Sequence, residues 1–228
     1  MKDNPVIVAL DVESATQARE IVGRLGDAAS FYKVGLELYA SACMDFVREL
    51  KSAGHRVFLD LKLYDIGETV RRAVAQIARS GVDFLTVHGM GQVMDAAVAG
   101  RGDAPLKLLA VTVLTSVDDA DLRADGYSRT VSEIVDMRAR KAMDAGIDGL
   151  ICSPLDVRRV RAIAPRAILV TPGVRSPGAS AQDQKRVATP AEAITAGADY
   201  LVVGRQITRA ADPRSEMRRI LTEIEPRA

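Results

Sequence analysis

The chain has 228 residues, of which 48% are hydrophobic and 27% are charged, with a formal net charge of +1. This composition is ordinary for a globular protein with one large core, and a charge near zero argues against binding nucleic acid or an anionic membrane through the overall field. Aromatic residues make up only 4% of the chain and do not alternate with basic residues, which argues against a stacking surface for single-stranded nucleic acid.

The sequence also bears on compartment and on metals. It has no apolar run long enough to cross a bilayer and no charged-then-apolar leader, so we expect a cytoplasmic protein. Cys43 and Cys152 lie far apart without metal-ligand spacing and are expected to be buried, reduced thiols. His55, expected to be solvated in a turn, and His88 are equally isolated. The sequence therefore predicts no metal site.

Short apolar, β-branched runs alternate with helical stretches along the chain. The predicted strands are Val6–Leu10, Phe31–Val34, Arg56–Leu61, Phe84–Val87, Leu106–Val113, Gly149–Cys152, Ala167–Val170 and Tyr200–Val203. The predicted helices include Ala15–Leu25, Met44–Ala53, Thr69–Ser80, Val131–Ala145, Ala191–Ala196 and Arg214–Ile224. Because the strand runs are almost continuously apolar, both faces of the sheet should be covered, as in parallel sheets. A small residue, Gly, an apolar residue and Asp recur before three strands, at Gly81, Gly146 and Gly197, which predicts one helix-to-strand turn used three times.

Eight strands alternating with helices in a chain of this length predict a single-domain (β/α)8 TIM barrel over residues 1–228. A doubly wound open sheet is the alternative. The segment 171–188, rich in Pro, Gly, Ser and Gln, exceeds the usual strand-to-helix connection of about 2–6 residues. We therefore expect this segment to have a function.

Active sites of such barrels lie at the carboxyl ends of the strands, and polar residues gather at these predicted ends. They are Asp11, Lys33, Asp60, Lys62, Asp65, His88, Thr115, Arg175 and Arg205, the last directly after Gly204. Charged groups are costly in a barrel interior unless they are paired. Opposite charges from several strands at one end therefore predict a site.

The segment from Asp60 to Asp65 is the centre of this predicted site. Strand periodicity places Asp60 and Lys62 on one face, and Lys33 is close enough to extend an alternating chain of charges. A Lys kept protonated by carboxylates can stabilise a developing carbanion and then protonate it. Structural alternatives remain open: the Asp-x-Lys pair also fits an ion pair at the barrel mouth, and Asp65-Ile66-Gly67-Glu68 fits a capping box opening the third helix. His88 is expected to be a hydrogen-bonded residue at a strand end.

A phosphate site is predicted at the loops after strands 7 and 8, where barrels of this kind often bind phosphate. Gly204 allows close approach of the main chain, and Arg205 supplies a fork-shaped cation. Arg175 and Gln184, both in the long loop, could close over a phosphate.

Taken together, these residues resemble the orotidine 5'-phosphate decarboxylase family, in its bacterial branch. The similarity runs from Val6 to about Ala210 and rests on several motifs occurring in order. They are Leu10-Asp11, Phe31-Tyr32-Lys33-Val34-Gly35, Asp60-Leu61-Lys62-Leu63-Tyr64-Asp65-Ile66, Val111-Thr112-Val113-Leu114-Thr115-Ser116, Thr171-Pro172-Gly173-Val174-Arg175 and Val203-Gly204-Arg205.

The resemblance implies an enzyme that converts orotidine 5'-phosphate to UMP and CO2, in the last step of de novo pyrimidine nucleotide synthesis, without metal or organic cofactor. Lys62 would donate the proton to C6. Asp60 would lie against the substrate carboxylate, while Lys33 and Asp11 would hold the ribose and complete the charge chain.

The resemblance further implies a homodimer with active sites at the interface. Asp65, Ile66 and Thr69 would reach into the neighbouring subunit's site. Thr115 would contact the pyrimidine. The remaining residues would hold the phosphate; they are Arg175, Gln184, Gly204 and Arg205.

The sequence departs from the family at Gly67, where a proline is common, and a looser turn there would affect how Asp65 and Thr69 are presented. Keto-gulonate phosphate decarboxylases and hexulose phosphate synthases, which use Mg2+, share the Asp-x-Lys-x-x-Asp motif. They have an acidic residue where this chain has Lys33. A non-catalytic nucleotide-binding barrel is a further alternative, disfavoured because Lys62 and both flanking carboxylates are present.

Overall fold

The computed structural model describes residues 4–177 and 188–225 and has eight parallel strands that close into a barrel. The strands are β1 (Val6–Ala9), β2 (Phe31–Gly35), β3 (Arg56–Leu63), β4 (Phe84–His88), β5 (Lys107–Val111), β6 (Gly149–Ile151), β7 (Ile168–Thr171) and β8 (Tyr200–Val203). Each strand pairs with the next in the chain, and β8 pairs with β1. The predicted TIM barrel is confirmed, and the open sheet is wrong.

The helices of the described residues surround the barrel. They are α1 (Ala15–Leu25), α2 (Leu36–Ser52), α3 (Gly67–Ala78), α4 (Gly91–Arg101), α5 (Asp119–Ala124), α6 (Val131–Asp144), α7 (Val157–Ile163), α8 (Pro190–Ala196), α9 (Arg205–Thr208) and α10 (Pro213–Ile224). Within the described part of the chain, no helix is both long and apolar enough to cross a membrane.

Helix α2 differs from its prediction, which began at Met44. The helix starts at Leu36 and is interrupted at Cys43, whose φ of 51° and ψ of −154° are not helical. The predicted helix therefore matches only the half that follows this kink. Cys43 is exposed, so the expectation of a buried thiol is wrong there, whereas Cys152 is buried as predicted.

Two apolar layers form because strand side chains alternate between the faces of the sheet. One layer fills the barrel and consists of Ile7, Ala9, Phe31, Phe58, Phe84, Leu109, Val111, Ile151, Val170 and Val202. The other packs between strands and helices. Because side chains alternate along a strand, a residue two positions after an interior residue also points into the barrel. Lys33, Asp60 and Thr86 each follow an interior phenylalanine in this way and lie nearer the carboxyl end of the barrel. The phenylalanines are Phe31, Phe58 and Phe84.

The repeated turn before β4, β6 and β8 is confirmed. Its glycines have positive φ, with values of 75° at Gly81, 79° at Gly146 and 111° at Gly197. The carboxylate that follows each glycine accepts a hydrogen bond from the main chain of the preceding strand in the barrel, as in Asp83 with the Val57 N–H at 2.8 Å. The same contact occurs before β6 and β8. These turns lie at the amino ends of the strands. They are therefore at the opposite end of the barrel from Lys33, Asp60 and Thr86.

Candidate active site

A cavity of about 510 Å³ opens at the carboxyl end of the barrel, and most of the predicted site residues line it. Those present are Asp11, Lys33, Asp60, Lys62, Thr115, Arg175, Gly204 and Arg205. Three predicted residues, Asp65, Ile66 and Thr69, are exposed and do not line this cavity. Gln184 lies outside the described residues.

The charges at the cavity floor alternate in sign along a chain of contacts. Lys33 Nζ lies 2.7 Å from Asp11 Oδ1 and 3.5 Å from Asp60 Oδ2. Lys62 Nζ lies 2.9 Å from Asp60 Oδ1. The order Asp11, Lys33, Asp60, Lys62 is the one expected from the sequence, and each ammonium has a carboxylate partner.

Burial makes these pairings strong. The side chains of Lys33 and Asp60 are only 8% and 13% exposed, so each would be costly to ionise alone. Burial opposes the charge of Asp60, but Lys33 and Lys62 together with hydrogen bonds from Lys62 and Thr86 hold its pKa below the usual value. Burial likewise opposes the charge of Lys33, but Asp60 and Asp11 raise its pKa. Both groups are therefore ionised at neutral pH.

Lys62 has an unusual main chain. Its φ is 49°, a left-handed value that is uncommon for residues other than glycine. The conformation arises where the pairing of β3 with β4 is irregular, because Leu59 pairs with Leu85 but Leu63 pairs with Val87. Strained φ values of this kind cost roughly 1–3 kcal/mol and cluster at functional sites. The ammonium of Lys62, whose side chain is one third exposed, reaches the cavity from this strained position.

Gly35 is required by the close packing of the first two charges. A Cβ at this position would lie 2.7 Å from Asp11 Oδ1 and 2.8 Å from Lys33 Nζ, which is nearer than real Cβ atoms approach. Any side chain at Gly35 would therefore displace the ends of both charged residues.

The side of the cavity that is predicted to bind phosphate is formed after β7 and β8. Gly204 precedes α9, and Arg205 is the first residue of that helix. Arg175 is held where the described ends of the long loop meet, because its N–H donates to the carbonyl of Ala188 at 3.0 Å. Three arginines, Arg175, Arg205 and Arg209, thus line the cavity together with Gly173 and Gly204.

Two residues that support the site from outside the cavity lining are not predicted from the sequence. Thr86, fully buried in β4, donates to Asp60 Oδ1 and accepts from the Lys62 N–H. Gln206 bridges the loop to α10, because its amide contacts Ser176 Oγ and Glu216 Oε1, each at 2.8 Å. A Thr in an apolar strand and a Gln in a helix carry no distinguishing signal in one sequence.

Three structural interpretations of the sequence, for Asp65, His88 and His55, are wrong. Asp65 does not open a capping box: the N-cap of α3 is Ile66, and the Asp65 carboxylate accepts from the Ile66 N–H at 2.6 Å. His88 Nδ1 is buried and has no hydrogen-bond partner among the described residues. The imidazole ring of His88 instead packs against the ring of Tyr64, with the two ring centroids 5.0 Å apart. Burial and the charge of Arg138 lower the pKa of His88. His55, expected to be solvated, packs edge-on against Tyr32 with ring centroids 5.0 Å apart.

Gly67 takes the first position of α3, and nothing crowds it, since a Cβ there would find Ala96 at an ordinary 3.7 Å. The preceding Ile66 has φ −54° and ψ 137°, a conformation that also suits a residue before proline. The turn after Asp65 therefore has the shape that the family's usual proline would favour.

Comparisons with known proteins agree with this geometry. Residues 4–220 match the model of the orotidine 5'-phosphate decarboxylase / HUMPS family. The chain is 51% identical over 220 residues to an orotidine 5'-phosphate decarboxylase of Rhodopseudomonas palustris, covering 96% of this chain and 94% of that protein. It is 50% identical over 227 residues to one of Caulobacter vibrioides, covering 97% of each.

A solved structure gives the same result. The crystal structure of orotidine 5'-phosphate decarboxylase from Lactobacillus acidophilus superimposes with a TM-score of 0.86 at 38% identity, covering 98% of this chain and all of that chain. Fold, order of motifs and full-length similarity thus coincide. The chain belongs to the orotidine 5'-phosphate decarboxylase / HUMPS family.

Proposed function

We propose that this protein decarboxylates orotidine 5'-phosphate to UMP and CO2, the last step of de novo pyrimidine nucleotide synthesis. The observation that carries the proposal is the position of Lys62. Its ammonium lies 2.9 Å from Asp60 and lines a cavity whose far wall holds Arg175 and Arg205. The site thus offers a proton donor at one end and phosphate-binding cations at the other.

The chemistry requires a proton donor of this kind. When the bond between C6 and the carboxylate carbon breaks, its electron pair stays on C6 and CO2 leaves. A fixed positive charge stabilises that carbanion, and the N–H bond of Lys62 supplies the proton that forms the C6–H bond of UMP. Lys62 is left neutral and recovers a proton from water. No metal or organic cofactor has a role in these steps.

The remaining residues of the cavity bind the substrate in this proposal. Asp60 lies against the departing carboxylate and orients Lys62. Lys33 and Asp11 hold the ribose, and Thr115 contacts the pyrimidine. The phosphate is bound by Arg175, Gly204 and Arg205, with Gln184 of the long loop. Binding energy from this remote phosphate can support closure of the site around the reacting carbon.

We also propose that the protein is a homodimer whose active sites lie at the interface. Tyr64 and Ile66 are large apolar residues that are 65% and 75% exposed, and Met90 is 41% exposed. Tyr64 and Ile66 flank the exposed Asp65 on the segment that leaves β3, whereas Met90 follows β4. A partner covering the surface around Asp65 would receive Asp65, Ile66 and Thr69 at its own site. A cytoplasmic location is consistent with the two free thiols.

A Mg2+-dependent reaction at the same carboxylates is disfavoured by Lys33. Its ammonium is in contact with both Asp11 and Asp60. A divalent cation bound between them would face the buried like charge of Lys33 at close range, which is unfavourable because burial weakens solvent screening.

The test of the function is turnover of orotidine 5'-phosphate by purified protein treated with a chelator, followed by the loss of its ultraviolet absorbance. We expect stoichiometric conversion to UMP, and activity unchanged when Mg2+ is added back. Tight binding of UMP without any turnover would contradict the proposal and favour a nucleotide-binding protein.

Replacing Gly35 by alanine is expected to reduce turnover by about 10- to 100-fold, because small displacements at a reacting centre can cost about 100-fold. The new methyl group would collide with Asp11 Oδ1 and Lys33 Nζ, the ends of their side chains, and would disturb the contact between them. The matched control is Gly23→Ala in α1, where nothing lies within 4 Å of the new Cβ. Equal activity of both variants would contradict this role of Gly35.

A further inference from the structure

The hydroxyl group of Thr86 links the two functional residues of β3. It accepts a hydrogen bond from the main-chain N–H of Lys62 at 2.9 Å and donates one to Asp60 Oδ1 at 2.9 Å. The same carboxylate oxygen accepts from Lys62 Nζ, also at 2.9 Å. The contacts form a closed ring that runs from the Lys62 main chain through Thr86 and Asp60 to the Lys62 ammonium.

The irregular pairing of β3 with β4 creates the need for such a link. From Leu59 to Leu63 there are four residue steps on β3, but from Leu85 to Val87 there are two on β4. Lys62 lies within this extra length with a φ of 49°. Its N–H donates to a side chain of β4, and loss of that acceptor would leave a polar group without its bond beside a buried strand.

The contact needs a group that donates and accepts at once. A hydroxyl does both, with one O–H and two lone pairs. Thr86 is completely buried, so water does not reach its side chain from outside. Its place in β4, two residues beyond the interior Phe84, directs it to the side of the sheet where Asp60 lies.

We propose that Thr86 is a positioning residue for the proton donor: its hydroxyl holds the Lys62 main chain in the left-handed conformation and aligns the Asp60 oxygen that orients the Lys62 ammonium. The inference rests on the proposed function for its effect on turnover. Its structural content, the conformation of Lys62, is independent of the reaction.

Three variants test the proposal by separating the hydroxyl from the volume of the side chain. Thr86→Val has nearly the same shape but no hydroxyl, and Thr86→Ser keeps the hydroxyl. Thr112→Val is the matched control, because Thr112 is also fully buried near the end of the next strand but its hydroxyl donates to the carbonyl of Ile151. For each variant we would measure kcat with orotidine 5'-phosphate, Kd for UMP, and the thermal unfolding temperature.

We expect Thr86→Val to lower kcat by about 10- to 100-fold, as misplacement of a catalytic group does, while Kd for UMP changes by less than about 3-fold, since the phosphate contacts are distant. Thr86→Ser should keep most of the activity, and Thr112→Val should keep both kcat and Kd. Wild-type kcat in Thr86→Val would overturn the proposal. So would equal losses in Thr86→Val and Thr112→Val, or a serine variant no better than the valine variant.

A crystal structure of Thr86→Val with UMP gives a readout that does not depend on turnover. We expect the φ of Lys62 to leave the left-handed region and the contact between Lys62 and Asp60 to lengthen. An unchanged Lys62 would overturn the proposal even if the wild-type protein had no decarboxylase activity. If the valine variant does not fold, Thr86→Ala, which also removes the hydroxyl, takes its place in both experiments with the same expected outcomes.

Discussion

Replacing Lys62 by alanine is expected to lower kcat for orotidine 5'-phosphate by at least about 10⁴-fold, since the variant loses both a general acid and the positive charge nearest the carbanion. General acid catalysis alone is typically worth about 10²–10⁴-fold in rate. Electrostatic stabilisation by one group is typically worth about 10²–10³-fold. Binding of UMP should be largely preserved, because the arginines on the far wall are untouched. The measurement is the decrease in substrate absorbance under saturating conditions, with UMP affinity by calorimetry.

The control for this variant is Lys107→Ala. Lys107 also pairs with a carboxylate, at 3.0 Å from Asp148, but it begins β5 and therefore lies at the opposite end of the barrel. Its removal should leave kcat unchanged. If Lys62→Ala retained more than about a hundredth of wild-type turnover, general acid catalysis by Lys62, which is typically worth at least that much, would be contradicted.

Mixing two inactive variants should restore activity if the sites are shared between subunits. Lys62→Ala and Asp65→Ala chains are each expected to be severely impaired. In a mixed dimer, one site carries both defects and the other carries none, so random reassociation should recover about a quarter of wild-type activity. The physical basis is that Lys62 lines its own chain's cavity whereas Asp65 is exposed outside it.

The control mixture combines Lys62→Ala with Lys33→Ala. Both residues line the same cavity, so no mixed dimer contains an intact site and no activity should return. Recovery of activity in this control would mean that activity returns by a route other than the sharing of Asp65 between subunits. Absence of recovery with Asp65→Ala, in chains shown to form mixed dimers, would mean that Asp65 does not serve the neighbouring subunit.

The positions of the charged residues followed from the sequence because they depend on local order. Asp11, Lys33, Asp60 and Lys62 each lie at or just after the end of an apolar run, and in a parallel barrel all such ends meet on one side. Contacts between Lys33 and both carboxylates could therefore be anticipated. The start of α2 was not anticipated, because the non-helical Cys43 divides that helix into two short stretches.

The sequence by itself determined the barrel, the end of it that carries the site and the closeness of Lys33, Asp60 and Lys62, since these follow from strand periodicity and chain direction. The place of Asp11 in the charge chain came from the family resemblance. Only the tertiary structure decided how Lys62 is held. Its left-handed φ and its bond to Thr86, 24 positions away in the chain, arise from the register between β3 and β4. Register is set by packing across the whole sheet, and no local pattern around Lys62 or Thr86 encodes it.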